Sequence, residues 1–433
     1  MWKIVGIECG FPVYTGNRRV DELEKTQHYT YFASDLLKAK GLGIDMIRYG
    51  IPWHRVEPQP GKFDWQWVDG ALDLLFSLEM KPIVDLVHFG TPDWLLPDGG
   101  FASKSFAEAQ ARYAAEFAQR YPKVEYFTIT NEPTITARFC GKTGYWHPFR
   151  KDAFDLICDN LAEGIHLSSQ AIRSINSRAV IMQNDTCEYH HAGDPSFEEE
   201  CAALNNERFL VWDRTVQDWD ILGLDFYPWS EEVHSATRPE IGPQFGLYGL
   251  AKQYYARYKK PMILAETDAP GTVEERIDWM ERTLRDCQRL NHEGIPMLGY
   301  TWWPLIDNIN WGSFKMEDSP DNAGLYSMVR NERGIWEREE TPLVLRFRQF
   351  IESVANAPTA GPTAAESPIP PPLPTAHEEN ISTVTAIPAK LEPVSSSEGN
   401  GASPGSISPA VGASGTESSA PQNETPAVST ERR

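Results

Sequence analysis

The chain has 433 residues, 41% hydrophobic and 23% charged, and its 14 Trp, 16 Tyr and 19 Phe are enough for a large core, which excludes a chain disordered throughout. Its 40 basic and 61 acidic side chains leave a net charge of -21, which repels phosphate backbones and argues against a nucleic-acid ligand. No apolar run reaches about 18 residues, and the start MWKIVGIECGF has neither the basic nor the long apolar part of a signal peptide, so no membrane partner is expected and a soluble, cytoplasmic protein is.

In chain order, short apolar runs alternate with stretches of helical period, the pattern of βα units around a parallel sheet. The runs are Lys3 to Ile7, Asp45 to Tyr49, Pro82 to Val87, Tyr126 to Thr130, Ala179 to Gln183, Ile221 to Phe226, Pro261 to Ala265 and Met297 to Thr301. Helices are expected over Gln66 to Leu78, Ser105 to Arg120, Ala153 to Ile175, Tyr248 to Tyr258, Glu274 to Asn291 and Pro342 to Val354. Eight such units imply an α/β fold of the (β/α)8 TIM barrel type over residues 1–356. A doubly wound sheet would want a Gly-rich loop after an early strand, and the nearest match, Gly41-Leu42-Gly43, follows a helix, where Gly caps the carboxy end.

Residues 357–433 carry 13 of the 33 Pro and no aromatic side chain, so this segment cannot bury enough apolar area to offset its ordering entropy and is expected to be a disordered tail. The six Cys are scattered without a C-x-x-C pair, which points to buried free thiols rather than disulfides or a zinc site. His190 and His191 stand together, but no Cys or carboxylate lies at ligand spacing nearby, so they are read as a solvated loop and no metal is expected.

In a TIM barrel the chemistry sits at the carboxy ends of the strands. The polar residues there are Arg48, His88, Asn131 with Glu132, Asp225 with Tyr227, Glu266, and Trp302 with Trp303; Trp302 is assigned to the core. Two carboxylates after strands four and seven, among hydrogen-bonding groups and Trp faces, match what glycoside hydrolysis needs: one group to protonate the leaving oxygen and another to attack or stabilise the anomeric carbon.

These residues carry a resemblance. TITNEP at Thr128 to Pro133 resembles the T-x-N-E-P acid/base motif of the family 1 glycoside hydrolases of the β-glucosidase type, and Leu264-Ala265-Glu266-Thr267 stands where that family has I-T-E-N-G. GYTWWPLIDNINW at Gly299 to Trp311 follows the family's GYFxWSLLDNFEW without a gap, with further echoes in IRYGIPWHRVEPQPG, HFGTPDWL and LGLDFYPW. The resemblance implies Glu132 as general acid/base and Glu266 as nucleophile of a retaining β-glycosidase without cofactor, acting on a small carbohydrate. It implies Arg48 and Tyr227 as the groups that orient the nucleophile, and His88, Asn131, Trp303, Asn310 and Trp311 as substrate-binding residues.

Three departures bear on substrate choice. Asn310 replaces a glutamate that binds the outer hydroxyls of the terminal sugar, Asp225 replaces an asparagine, and IECGFPVYTGN shows no alignable sugar-binding glutamine. Two alternatives stand beside hydrolysis: a transglycosidase using the same two glutamates, and a barrel that binds carbohydrate or a protein partner without turnover. Oligomeric state leaves no mark in the sequence.

Overall fold

The computed structural model describes residues 1–309 and 319–355; the expected tail, Asn310 and Trp311 lie outside the described residues. Eight parallel strands close a barrel: β1 (Trp2–Gly6), β2 (Met46–Gly50), β3 (Lys81–Asp85), β4 (Tyr126–Thr128), β5 (Val180–Thr186), β6 (Ile221–Asp225), β7 (Met262–Glu266) and β8 (Met297–Trp302), with β8 paired back onto β1. Each coincides with a predicted run to within a few residues at its ends. The helices that follow them in turn are α1 (His28–Gly41), α2 (Gln66–Ser77), α3 (Phe106–Arg120), α4 (Phe154–Ile175), α5 (Leu210–Thr215), α6 (Gly246–Tyr258), α7 (Val273–His292) and α8 (Pro342–Ala355). The strand–helix alternation is the TIM barrel that the sequence implies.

The helices form because apolar side chains recur at the helical period and face the barrel. In α3, Phe106, Ala109, Tyr113, Ala114 and Phe117 are buried, and they meet Ile157, Leu161 and Ile165 of α4. Gly164 permits that approach, because a Cβ there would stand 2.2 Å from the Gln110 Oε1. Helix α7 opens on a capping box: Thr272 accepts from the Glu275 backbone, and Glu275 accepts in return from the Thr272 backbone.

Side chains alternate between the faces of a strand, so every second residue points into the barrel. Ile4, Met46, Ile83, Tyr126, Val180, Met182, Ile221, Ile263 and Ala265 form a separate apolar cluster that fills it. Two residues further along their strands, Arg48, Asp85, Thr128 and Asn184 are just as buried and are all polar, as is Asp225, four residues beyond Ile221. That change of character marks the end of the barrel where the site lies.

Two expectations need correction or refinement. His190 and His191 do not lie in a solvated loop. They belong to a strand, Tyr189–Ala192, that pairs in parallel with Glu231–His234 beyond β5 and β6, and both rings are largely buried. Their partners, Glu231 and His234, are some forty positions away in sequence, beyond the reach of a local-spacing argument. The Cys reading fares better: all six are buried free thiols.

Candidate active site

Glu132 follows β4 and sits at the head of a short helix, Pro133–Arg138, with its own backbone in the left-handed region at φ 39°. A non-glycine residue held there stores strain of order 1–3 kcal/mol and needs surrounding support. The support is visible: the Thr134 amide donates to Asp185 Oδ2 at 2.8 Å, and Gln183 Nε2 donates to the Thr130 carbonyl at 3.0 Å. Glu266 ends β7 next to an irregularity in register with β6 between Leu264 and Glu266 that pairs Glu266 with Asp225, and such irregularities re-aim side chains. One carboxylate oxygen each from Glu132, Asp225 and Glu266 come within 4.8 Å of one another.

Both oxygens of Glu266 are held. Arg48 Nη1 donates to Oε1 at 2.6 Å and the Tyr227 hydroxyl donates to Oε2 at 2.7 Å. The other arm of Arg48, Nη2, reaches Asp85 at 2.7 Å and Asn131 Oδ1 at 2.9 Å. Burial works against the Arg48 charge, but Asp85, Glu266 and Asp225 outweigh it and raise its pKa. Asp85 is lowered for the complementary reason: burial pushes it up, and Arg48 and His88 more than reverse that.

A second chain of contacts lines the other wall. Asn131 Nδ2 lies 3.1 Å from His88 Nε2, and the His88 ring is parallel to the Trp303 indole at 4° with centroids 5.8 Å apart. Trp303 also sits 4.8 Å from the Arg48 guanidinium carbon and donates from Nε1 to Glu8 Oε2 at 3.1 Å. Gly6 makes room for this indole, since a Cβ there would meet it at 2.0 Å. Glu8 is buried, its Oε1 accepts from the Cys9 and Gly10 amides, and burial raises its pKa.

Acid groups dominate the floor. Asp225, which accepts from Asn184 at 2.6 Å, has its pKa raised well above its ordinary value by burial and by Glu266 and Glu132. Asp268 is pushed up to about 8, chiefly by burial. Arg48 Nε, Asp85 Oδ1, Asn184 Oδ1 and Asp225 Oδ1 are buried and find no hydrogen-bond partner among the described residues.

The structure therefore brings together Glu132, Glu266, Arg48, Tyr227, His88, Asn131 and Trp303, while Trp302 is buried in the core with its Nε1 donating to the Ala323 carbonyl. Glu8, Asp85 and Asn184 were not foreseen. Asp85 hides inside an apolar run, Asn184 lies one residue past one, and Glu8 follows β1 without a motif. A charged residue on the inward phase of a buried strand was the available signal for Asp85.

Among the described residues, two groups of possible metal ligands fall in this site, Glu132 with Asp225 and Glu266, and Cys9 with Asp85 and His88. Neither suits an ion. Both Glu266 oxygens already accept, Asp85 is paired with Arg48, and the Cys9 thiol is raised well above its ordinary pKa, chiefly by burial, whereas a ligand must be thiolate.

A model of glycosyl hydrolase family 1 matches residues 16–212. A 1,4-beta-D-glucan glucohydrolase of Thermotoga neapolitana is 22% identical over 351 residues, spanning 66% of this chain and 82% of the relative. A chloroplastic galactolipid galactosyltransferase of Arabidopsis thaliana is 22% identical over 320 residues, spanning 63% of this chain and 50% of the relative. Among solved structures, a beta-glucosidase from Thermotoga maritima in complex with deoxynojirimycin superposes with a TM-score of 0.66 at 16% identity, over 81% of this chain and 97% of the other, a likeness of fold.

Proposed function

Because the chain belongs to glycosyl hydrolase family 1, we propose that it is a retaining β-glycosidase that hydrolyses the O-glycosidic bond of a small β-glycoside. The observation that carries this reading is the approach of Glu132 and Glu266 oxygens to within 4.8 Å, which suits a covalent double displacement (carboxyl groups about 5–5.5 Å apart) better than the wider spacing of an inverting pair.

In this reading Glu266 attacks the anomeric carbon as the bond to the aglycone breaks, and Glu132 gives its proton to the departing oxygen. Water then attacks the glycosyl-Glu266 ester, returning a proton to Glu132 and freeing Glu266. Arg48 and Tyr227 each donate to one Glu266 oxygen and hold the carboxylate in its aim. Burial, with Glu266 and Glu132 beside it, raises the Asp225 pKa and so favours the protonated carboxyl, a form that can donate a hydrogen bond much as an asparagine amide would. Glu8, His88, Asn131 and Trp303 supply acceptors, donors and an apolar face for the sugar.

Transfer of the same glycosyl group to an acceptor other than water is the second reading, favoured by the galactosyltransferase among the relatives. Aryl β-glycosides followed by proton NMR separate the possibilities. The β-anomer of the free sugar appearing first supports hydrolysis with retention, a glycosylated acceptor supports transfer, and the α-anomer appearing first would overturn both.

A further inference from the structure

Beyond the carboxy ends of β5 and β6, the chain forms the small parallel ladder of Tyr189–Ala192 with Glu231–His234, in which Glu232 pairs with His190 and His234 with Ala192. Three side chains converge there from both strands. His190 Nδ1 lies 2.9 Å from His234 Nε2 and 3.9 Å from Glu232 Oε2, and His234 Nε2 lies 3.6 Å from the same Glu232 oxygen. A tetrahedral ion with ligand bonds of about 2.0–2.1 Å has ligand atoms about 3.3 Å apart, so these edges straddle the ideal value. We infer that His190, Glu232 and His234 form a binding site for a divalent transition ion of the zinc class, with one coordination position left open.

Two imidazole nitrogens at 2.9 Å can be reconciled by a shared proton as well as by an ion. The third donor favours the ion: a carboxylate oxygen facing both nitrogens completes a set of N, N and O ligands. The outer contacts favour it too. With Nδ1 on the metal, the other ring nitrogen of His190 carries a hydrogen; that Nε2 is buried, has no hydrogen-bond partner among the described residues, and lies 4.0 Å from Glu188 Oε1. An imidazole between a metal and a carboxylate is the usual arrangement. Glu188 is itself held by Arg138, the last residue of the helix headed by Glu132, and Asn205 fixes the His190 backbone through both its amide and its carbonyl. His191 takes no part, being engaged with Glu231 at 2.8 Å.

The ion would tie together the segments that follow β5 and β6, the second of which carries Tyr227. The inference does not rest on the glycosidase reading. The test is titration of the full chain, stripped with a chelator, with Zn2+ by calorimetry and with Co2+ by visible absorption. Expected are one equivalent bound, the absorption of tetrahedral cobalt, and a melting temperature several degrees higher with zinc. His234→Ala should weaken binding at least a hundredfold, and Glu232→Gln, at a half-exposed position that endangers no core, about tenfold, while His191→Ala leaves it unchanged. Zinc binding of equal strength in wild type, His234→Ala and Glu232→Gln, or none in the wild type, would overturn the assignment.

Discussion

The barrel interior has an apolar layer and, further along the strands, a polar one. Below are Ile4, Met46, Ile83, Met182, Ile221 and Ile263; above are Arg48, Asp85 and Asn184, two residues beyond Met46, Ile83 and Met182, and Asp225, four residues beyond Ile221. Both layers are equally dry, so burial alone does not separate them. The lower layer gains stability from apolar area removed from water, whereas the upper one holds ions and amides that are tolerable only while each partner is present. Substitutions in the two layers should therefore fail in different ways.

The largest effect is expected in the upper layer. Glu266→Gln keeps the shape but removes the attacking charge, and kcat should fall by roughly 10⁴-fold or more with little change in melting temperature. Glu132→Ala should lose about 10²–10⁴-fold, less for aryl glycosides whose leaving group needs no proton. Steady-state kinetics beside a thermal melt check both, and a large loss of stability with retained turnover would erase the distinction between the layers.

Arg48→Met tests the ionic half of the comparison. It strands Glu266 and Asp85 without their shared guanidinium, and should cost about 3–5 kcal/mol of stability together with most activity. In the lower layer, Ile263→Ala should cost about 2–4 kcal/mol by leaving a cavity, yet the protein that remains folded should keep kcat within a few fold. Urea unfolding of both variants gives the comparison, and an Ile263→Ala enzyme as inactive as the Arg48 variant would contradict it.

Protonation sharpens the contrast further. Burial beside Glu266 and Glu132 raises the Asp225 pKa, so the carboxyl is neutral below that value. As the pH climbs through it, Asp225 ionises, adds a negative charge to the site and turnover falls. Asparagine is neutral at every pH, so Asp225→Asn should move the alkaline limb of kcat/KM upward by at least about half a unit. An unmoved limb would remove Asp225 from the mechanism.

The smallest expected effect is a slope. Burial pushes Asp185, which supports the backbone after Glu132, up to about 7. From about pH 4, where the unfolded carboxyl ionises, to 7, the folded state binds the extra proton. Stability from this group is thus full below that window and lost as the pH rises through it, by up to about 1.4 kcal/mol per unit. Asp185→Asn should flatten this dependence in melts taken at pH 5 and pH 7.5; an unchanged slope would mean that Asp185 is ionised in the folded protein.

Much of this contrast can be read in the sequence. Eight apolar runs announce the strands, and Arg48, Glu132, Tyr227 and Glu266 stand out because each interrupts or ends one at the barrel end where chemistry belongs. Asp85 and Asn184 were missed for a physical reason. They lie on strands whose other inward residues are apolar, and only closure of the barrel shows that their phase points at Arg48 and Asn131. Glu8 has no local signal, since its partners His88 and Trp303 come from the third and eighth units. His190 and His234 are further removed still, joined only by a ladder between two connecting segments that local periodicity does not predict.

The central claim, that Glu266 is the nucleophile of a retaining glycosidase, is tested most directly by trapping its ester. Incubation with a 2-deoxy-2-fluoro β-glycoside bearing a good leaving group, followed by intact mass and peptide mapping, should show one glycosyl adduct per chain, on Glu266 and absent from Glu266→Gln. A protein that turns over aryl β-glycosides yet forms no adduct, or carries it on Glu132 or Asp225, would contradict the account.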